Sequence, residues 1–394
     1  MAYNFNRVIN RRLPSQHNKW TYYPPDVLPM WVADMDFQTP KPVLDEMRAL
    51  LDHGVLGYEL SAESALEPIV ARMKKLYNWN ISPEMIIATP GIVKGFYTAA
   101  RAICSPGDGL LMQPPVYFPF LKTHEQAGLV RQLAPLKARS HKGRIEYEID
   151  FDVFNAALNS ESAQTRMFLL CNPHNPTGAV YSRKQLTRMA ENCLKNNVVI
   201  CSDEIHSEIL LGRARHIPIA TLSPEIEDLT ITLIAASKAY NVPGLFCGFA
   251  IIPNPELREK FKAIVDREFL HPNSMGLAAA KAAFSGKSDR WLVQAKKYLT
   301  ANRDFLVKYL RKELPEIGYT IPDATYLAWL DCNALIRSGK IEGSPFNFFL
   351  ENAKVALVEG AEFGPGGEGF VRLNFGCPRK TLKEGLDRIR KSLK

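Results

Sequence analysis

The chain has 394 residues, 46% of them apolar and 23% charged, with a formal net charge of +8; that is enough for two domains with large cores and has the balance of a globular enzyme. The basic excess is dispersed, with no block of like charge and no basic stripe interleaved with aromatics, which argues against nucleic acid as a partner. No apolar run reaches the roughly 18–20 residues of a membrane span, and the opening Met-Ala-Tyr-Asn-Phe-Asn-Arg lacks the apolar core of a secretory signal, so a cytoplasmic protein is expected.

Residues 1–40 are rich in Pro, Asn and aromatics and predict an extended arm with little regular structure. Pro40 through Leu51 has helical spacing. From about residue 85 to 250, short apolar runs alternate with amphipathic segments: Met85–Ala88, Gly109–Gln113, Met167–Cys171, Val198–Cys201, Thr230–Ala235 and Gly248–Ile252. Most connections are long enough for a crossover helix, which predicts an α/β fold with a mainly parallel sheet covered on both faces. Beyond about residue 272 the pattern changes. Asp289–Leu314 reads as one long amphipathic helix; Thr325–Leu330, Val355–Glu359 and Phe370–Phe375 read as strands. Thr381–Leu393 places Leu382, Leu386, Ile389 and Leu393 on one helical stripe. The expected organisation is an arm over 1–45 packing with a smaller α/β C-terminal domain over 273–394, and a large domain over 46–272.

The seven cysteines form no Cys-x-x-Cys pair, and Cys171 and Cys201 lie inside apolar runs, as expected of reduced, buried thiols. His124, His141, His174, His206 and His216 lack metal-ligand spacing, so no metal is expected.

In open parallel sheets ligands bind where the loops converge, at the carboxyl ends of the strands. Four predicted strands end in pointed chemistry. Residues 89–95, Thr-Pro-Gly-Ile-Val-Lys-Gly, enter a helix through a glycine turn whose free N–H groups can hold a phosphate. Residues 172–178, Asn-Pro-His-Asn-Pro-Thr-Gly, fix an unusual loop around Asn175. Asp203, after the run ending at Cys201, is a carboxylate that must find a cationic or hydrogen-bonding partner; a protonated pyridine nitrogen suits it, and so does a helix cap or an ion pair. Lys238, after the run ending at Ala235, sits at the mouth of the sheet, where an amine can be kept neutral and nucleophilic, or is an ordinary surface lysine. The intervals from 175 to 203 and from 203 to 238 each suit one or two strand–helix passages through one sheet. The set of three points to a pyridoxal phosphate (PLP) site.

At these residues the chain resembles the class I/II aminotransferase superfamily of fold-type I PLP enzymes, which have an aspartate-aminotransferase-like fold with a seven-stranded large-domain sheet. The motifs that carry the resemblance are N-P-H-N-P-T-G, S-D-E-I-H, A-S-K and V-R-L-N-F-G. Asn10-Arg11-Arg12 and Trp31-Val32-Ala33-Asp34-Met35-Asp36-Phe37 are similar to the cystathionine β-lyase (MalY/PatB-type C–S lyase) branch. The resemblance implies that Lys238 carries the cofactor and moves the Cα proton, that Asp203 pairs with the pyridine nitrogen, and that Asn175 donates to the ring oxygen. It further implies that Tyr117 stacks on the ring and that Gly91, Ile92 and Val93 offer amides to the phosphate, with Ser237 assisting. His206 stands where many aminotransferases have a tyrosine at the ring oxygen. Arg372 would clamp the substrate carboxylate, with Asn175 and Ala33 beside the substrate. Tyr58 would reach the phosphate of a neighbouring subunit, implying a homodimer with shared sites. Taken singly, Tyr117 also suits core packing, Tyr58 an ordinary loop and Arg372 an internal ion pair.

Two departures bear on the phosphate. Phe246 stands where many relatives carry a basic residue, and Ala235 where a serine is common, so the anion is expected to lean on backbone amides, Ser237 and the partner tyrosine. The expected reaction is β-elimination from L-cystathionine or a related cysteine S-conjugate. Aminotransfer, dependent on 2-oxoglutarate, is the first alternative; a PLP-binding regulatory protein with little turnover is the second.

Overall fold

The computed structural model describes residues 3–13, 16–59 and 61–394. Its central feature is a seven-stranded sheet. In chain order the strands are β1 Ile86–Thr89, β2 Gly109–Met112, β3 Val130–Leu133, β4 Thr165–Cys171, β5 Val199–Asp203, β6 Thr230–Ile234 and β7 Gly248–Ile251. Across the sheet they run β1-β7-β6-β5-β4-β2-β3. Only β7 is antiparallel to its neighbours.

The continuous apolar runs follow from burial on both faces. Side chains alternate across a strand, so Met167, Leu169, Val199, Cys201 and Leu233 point to one side, where they share a core with Ile92, Phe96 and Ala99 of the helix Ile92–Ile103. Phe168, Leu170 and Ile200 point to the other, onto Phe154, Leu186 and Met189. Strand β3 escapes a reading by hydrophobic runs because it is an edge strand that buries one residue, Gln132.

A second, six-stranded sheet runs Val358–Glu359, Phe370–Asn374, Leu327–Asp331, Gly318–Tyr319, Arg144–Glu148, Lys137–His141. Its last two strands are a charged hairpin inserted between β3 and β4; Lys137–His141 is exposed throughout, and Arg144–Glu148 buries only Ile145, so neither makes an apolar run. The expected strand Val355–Glu359 divides at Leu357. Val355–Ala356 pairs in parallel with Leu28–Pro29 of the N-terminal segment, while Val358–Glu359 pairs with Phe370–Asn374. The long helix is Asp289–Glu313, burying Trp291, Leu292, Ala295, Leu299, Leu306 and Leu310 at three- and four-residue spacing. No helix among the described residues is long and apolar enough to cross a membrane.

Gly248 shows how tightly the start of the helix Ile92–Ile103 is set on the sheet. A Cβ there would lie 2.9 Å from Ile92 Cδ1 and 3.2 Å from the backbone carbon of Gly91. Gly248→Ala is expected to lower unfolding stability by about 1–3 kcal/mol, measured as a lower urea midpoint at unchanged m-value.

Candidate active site

The carboxyl ends of β4, β5 and β6 open into a cavity of ≈ 850 Å³. Asp203, the last residue of β5, and Lys238, in the short helix Ala236–Ala239 after β6, both line it. Asp203 is 5% exposed; its Oδ1 accepts from the Ile205 N–H at 3.1 Å, and among the described residues it has no salt-bridge partner. Burial is the largest influence on its carboxyl group and pushes it up to about 7, with Lys238 pulling the other way. Burial likewise brings the Lys238 amine down to about 8, helped by the Arg372 cation and opposed by Asp34 and Asp203. Lys238 Nζ donates to the Ala33 carbonyl at 2.7 Å, and the Tyr326 hydroxyl donates to the same oxygen at 2.8 Å.

Arg372 comes from the second sheet, in the middle of Phe370–Asn374, and is 3% exposed. Its guanidinium donates to Asn175 Oδ1 at 3.0 Å and to the Trp31 carbonyl at 3.1 Å, and lies 5.2 Å from the Phe363 ring centroid. No carboxylate pairs with it among the described residues, its Nε has no partner, and burial lowers it to about 10. A buried guanidinium without an anion is a site for a carboxylate. Its bond to Asn175 Oδ1 also orients that amide, leaving Nδ2 as the free donor. The Asn175 loop is held from both sides: its carbonyl accepts from Tyr117 N–H at 3.0 Å, and Gly178, at φ 73°, packs where a Cβ would meet Pro322.

At the start of the helix Ile92–Ile103, Gly91 takes φ 94° and the first intrahelical bond is Gly95 N–H to Gly91 carbonyl. The N–H groups of Ile92, Val93 and Lys94 therefore have no acceptor among the described residues, and all three residues line the cavity with Ser237. That is an anion cradle built from backbone. Phe246 lines the same wall, 66% exposed and at φ 46°, 4.0 Å from where a Gly91 Cβ would sit. Ala235 is buried just before the lysine helix. Tyr117 lines the cavity, its hydroxyl pushed up by burial. His206 lies edge-on to Tyr326, with ring centroids 6.3 Å apart and Nδ1 unpartnered. Burial, then the Lys238 and Arg372 cations, hold it well below the ordinary imidazole range, which favours the neutral ring.

Of the residues singled out in the sequence, only Tyr58 stands apart from the cavity. It is fully exposed, in the coil after the helix Lys41–His53. The structure adds Tyr326 and the aromatic group Tyr22, Tyr23 and Trp31, whose ring centroids lie 4.9–5.8 Å apart on the cavity wall. Trp31 carried a motif signal, Tyr22 and Tyr23 only the aromatic density of the arm, and Tyr326 none.

The residues fit PLP: a buried acid with no cation for the pyridine nitrogen, an amine with a lowered pKa, an oriented amide donor, an aromatic wall and a backbone cradle for phosphate. A family model described as aminotransferase class I and II matches residues 26–389. The chain is 38% identical to the cystathionine beta-lyase PatB of Bacillus subtilis, over 99% of this chain and 100% of that one. It is 30% identical to the protein MalY of Escherichia coli, over 98% and 97% of the two chains. The solved structure of the PLP-bound C-S lyase from Staphylococcus hominis matches with a TM-score of 0.91 at 34% identity, over 100% of this chain and 98% of that one.

The charges at the centre oppose folding in the cofactor-free protein. Asp203 rises from 3.8 to about 7 on folding, so the folded state holds an extra proton between those values and stability falls as pH climbs through that window. Lys238 moves the other way, from 10.5 to about 8, so its penalty is full below 8 and fades as pH rises to 10.5. Asp203→Asn is therefore expected to raise the melting temperature of the cofactor-free protein by a few degrees at pH 8 and by less at pH 5, measured by scanning calorimetry.

Proposed function

The chain belongs to the class I and II aminotransferase family, and we propose that within it this protein is a PLP-dependent carbon–sulfur lyase. It takes L-cystathionine or a related cysteine S-conjugate with water to a thiol, pyruvate and ammonia. The observation that carries the reading is one cavity in which a half-buried amine, a buried acid without a cation and a buried guanidinium without an anion meet. The relatives supply the reaction class, since those described above are named cystathionine beta-lyase and C-S lyase.

PLP when bound supplies an electron sink that spreads the negative charge left when Cα loses its proton. Lys238 would hold the cofactor and would serve as the base at Cα, with a pKa of about 8 that leaves part of it neutral near physiological pH. Asp203 would pair with the pyridine nitrogen and favour its protonated form. Asn175 Nδ2 would donate to the ring oxygen, and Tyr117 would pack on the ring. Arg372 clamps the substrate carboxylate through a bidentate fork, fixing which Cα bond faces the lysine. Neutral His206 and Ala33 complete the wall beside the substrate. Gly91, Ile92, Val93 and Ser237 receive the phosphate without a side-chain cation at position 246.

The protein acts as a homodimer in the cytoplasm in this proposal. Leu51, Val55, Leu56, Tyr58, Phe246 and Phe269 are exposed, apolar surface that a second copy would cover, and in this reading Tyr58 would serve the partner's site rather than its own. The seven cysteines are free and buried, as suits a reducing compartment. The N-terminal arm with residues 273–394 forms the smaller domain around the large-domain sheet.

Purified protein with L-cystathionine is expected to release pyruvate without added 2-oxo acid; a requirement for 2-oxoglutarate would instead establish aminotransfer. Lys238→Ala is expected to lose the visible absorption of the bound cofactor and all turnover. Mixing inactive Lys238→Ala with inactive Tyr58→Ala is expected to restore part of the wild-type rate, because mixed dimers hold one site with both residues intact; no recovery would argue against shared sites.

A further inference from the structure

Arg11, Lys19 and the two acids of the string Trp31–Phe37 have no part in the chemistry so far. They meet in a cluster of four charges. Arg11 bridges Asp34 at 2.8 Å and Asp36 at 2.7 Å, and Lys19 bridges the same two acids at 2.7 and 3.1 Å. Trp20 Nε1 adds a bond to Asp36 at 2.8 Å. Lys19 and Asp36 are 5% and 4% exposed.

The backbone of the string is held as firmly as its side chains. Asn374 Nδ2 donates to the carbonyls of Val32 and Asp34. Asn241 Nδ2 donates to those of Met35 and Phe37, while its Oδ1 accepts from Met35 N–H. The acids thus face the arm, while two carbonyls before them, those of Trp31 and Ala33, meet side chains of the cavity. Ala33 offers its carbonyl to Lys238 and Trp31 offers its own to Arg372. A buried ion network is on balance no better for stability than apolar packing of the same volume. What this one provides is a single place for the backbone that it grips.

We propose that Arg11, Lys19, Asp34 and Asp36 are positioning residues for the catalytic amine, fixing the Ala33 carbonyl where it receives Lys238 Nζ whenever that amine is free. The proposal rests on the assignment of Lys238 as the base at Cα. An amine at the end of a four-carbon stem loses aim easily, and a base is effective only within hydrogen-bond reach of its proton. The carbonyl, shared with the Tyr326 hydroxyl, gives the released amine one resting point beside the substrate.

The test uses Arg11→Met, since Arg11 is the most exposed member of the cluster. In the holoenzyme, kcat on L-cystathionine per bound cofactor is expected to fall about tenfold with KM nearly unchanged. In the cofactor-free protein, amide hydrogen exchange across residues 31–37 is expected to quicken. Arg11→Lys, which still reaches an aspartate, is expected to reverse both. Tyr326→Phe takes away the second donor at Ala33 without altering a charge; a fall in its kcat at constant KM supports the proposal even where Arg11→Met does not fold. Unchanged kcat per bound cofactor in folded Arg11→Met overturns it, as does unchanged kcat in Tyr326→Phe where Arg11→Met does not fold. A fall in kcat without faster exchange also overturns it, because the arm would then act through its charge. Turnover surviving in Lys238→Ala would instead defeat the assignment of the base itself, so the two failures are distinct.

Discussion

An acid and an amine of opposite charge, each deprived of water at the ends of adjacent strands, set the terms for the rest of the molecule. Each is moved by burial toward its neutral form, and each partly restores the charge of the other. At low effective dielectric such charges act strongly on whatever enters between them. Keeping them there requires a sheet covered on both faces, and the alternation of Met167, Leu169 and Leu233 to one side with Phe168, Leu170 and Ile200 to the other supplies it. The protein is thus less stable than an apolar version of the same site, in exchange for a centre complete only when a ligand brings the missing charges.

The cavity lies along a seam between the two sheets. Asn175 follows a strand of the first and Arg372 lies within a strand of the second, and one hydrogen bond between them sets the donor direction of the amide and the attitude of the guanidinium together. The wall at the start of the helix Ile92–Ile103 is made differently. It offers three helix N–H groups and the Ser237 hydroxyl, with Phe246 exposed in a left-handed backbone conformation beside them. An anion received there would meet oriented backbone dipoles.

Strands buried on both sides write themselves into a chain as unbroken apolar runs, which is why the sheet and the polar residues at its strand ends were legible in the sequence. Asp203, Lys238 and Asn175 were readable because each ends or closely follows such a run. What stayed hidden was held together by exposed or polar residues. Strand β3 buries only Gln132 and Lys137–His141 buries nothing, while Arg144–Glu148 buries Ile145 alone, so none of them forms an apolar run. The division of 355–359 at Leu357 reflects pairing partners distant in the chain, a tertiary fact with no local signature. In the arm, motif resemblance marked Trp31–Phe37 but not its purpose, because the working atoms are backbone carbonyls, which every residue possesses.

That division at Leu357 has a mechanical consequence. Residues on its two sides belong to different ribbons, one shared with the arm at Leu28–Pro29 and the other forming the cavity wall at Val358–Glu359. One residue separates a tug on the leading segment from a shift in the cavity wall. The segment around Leu28–Pro29 is therefore less a tail than a keystone, and removing it would unseat masonry on both sides of the joint.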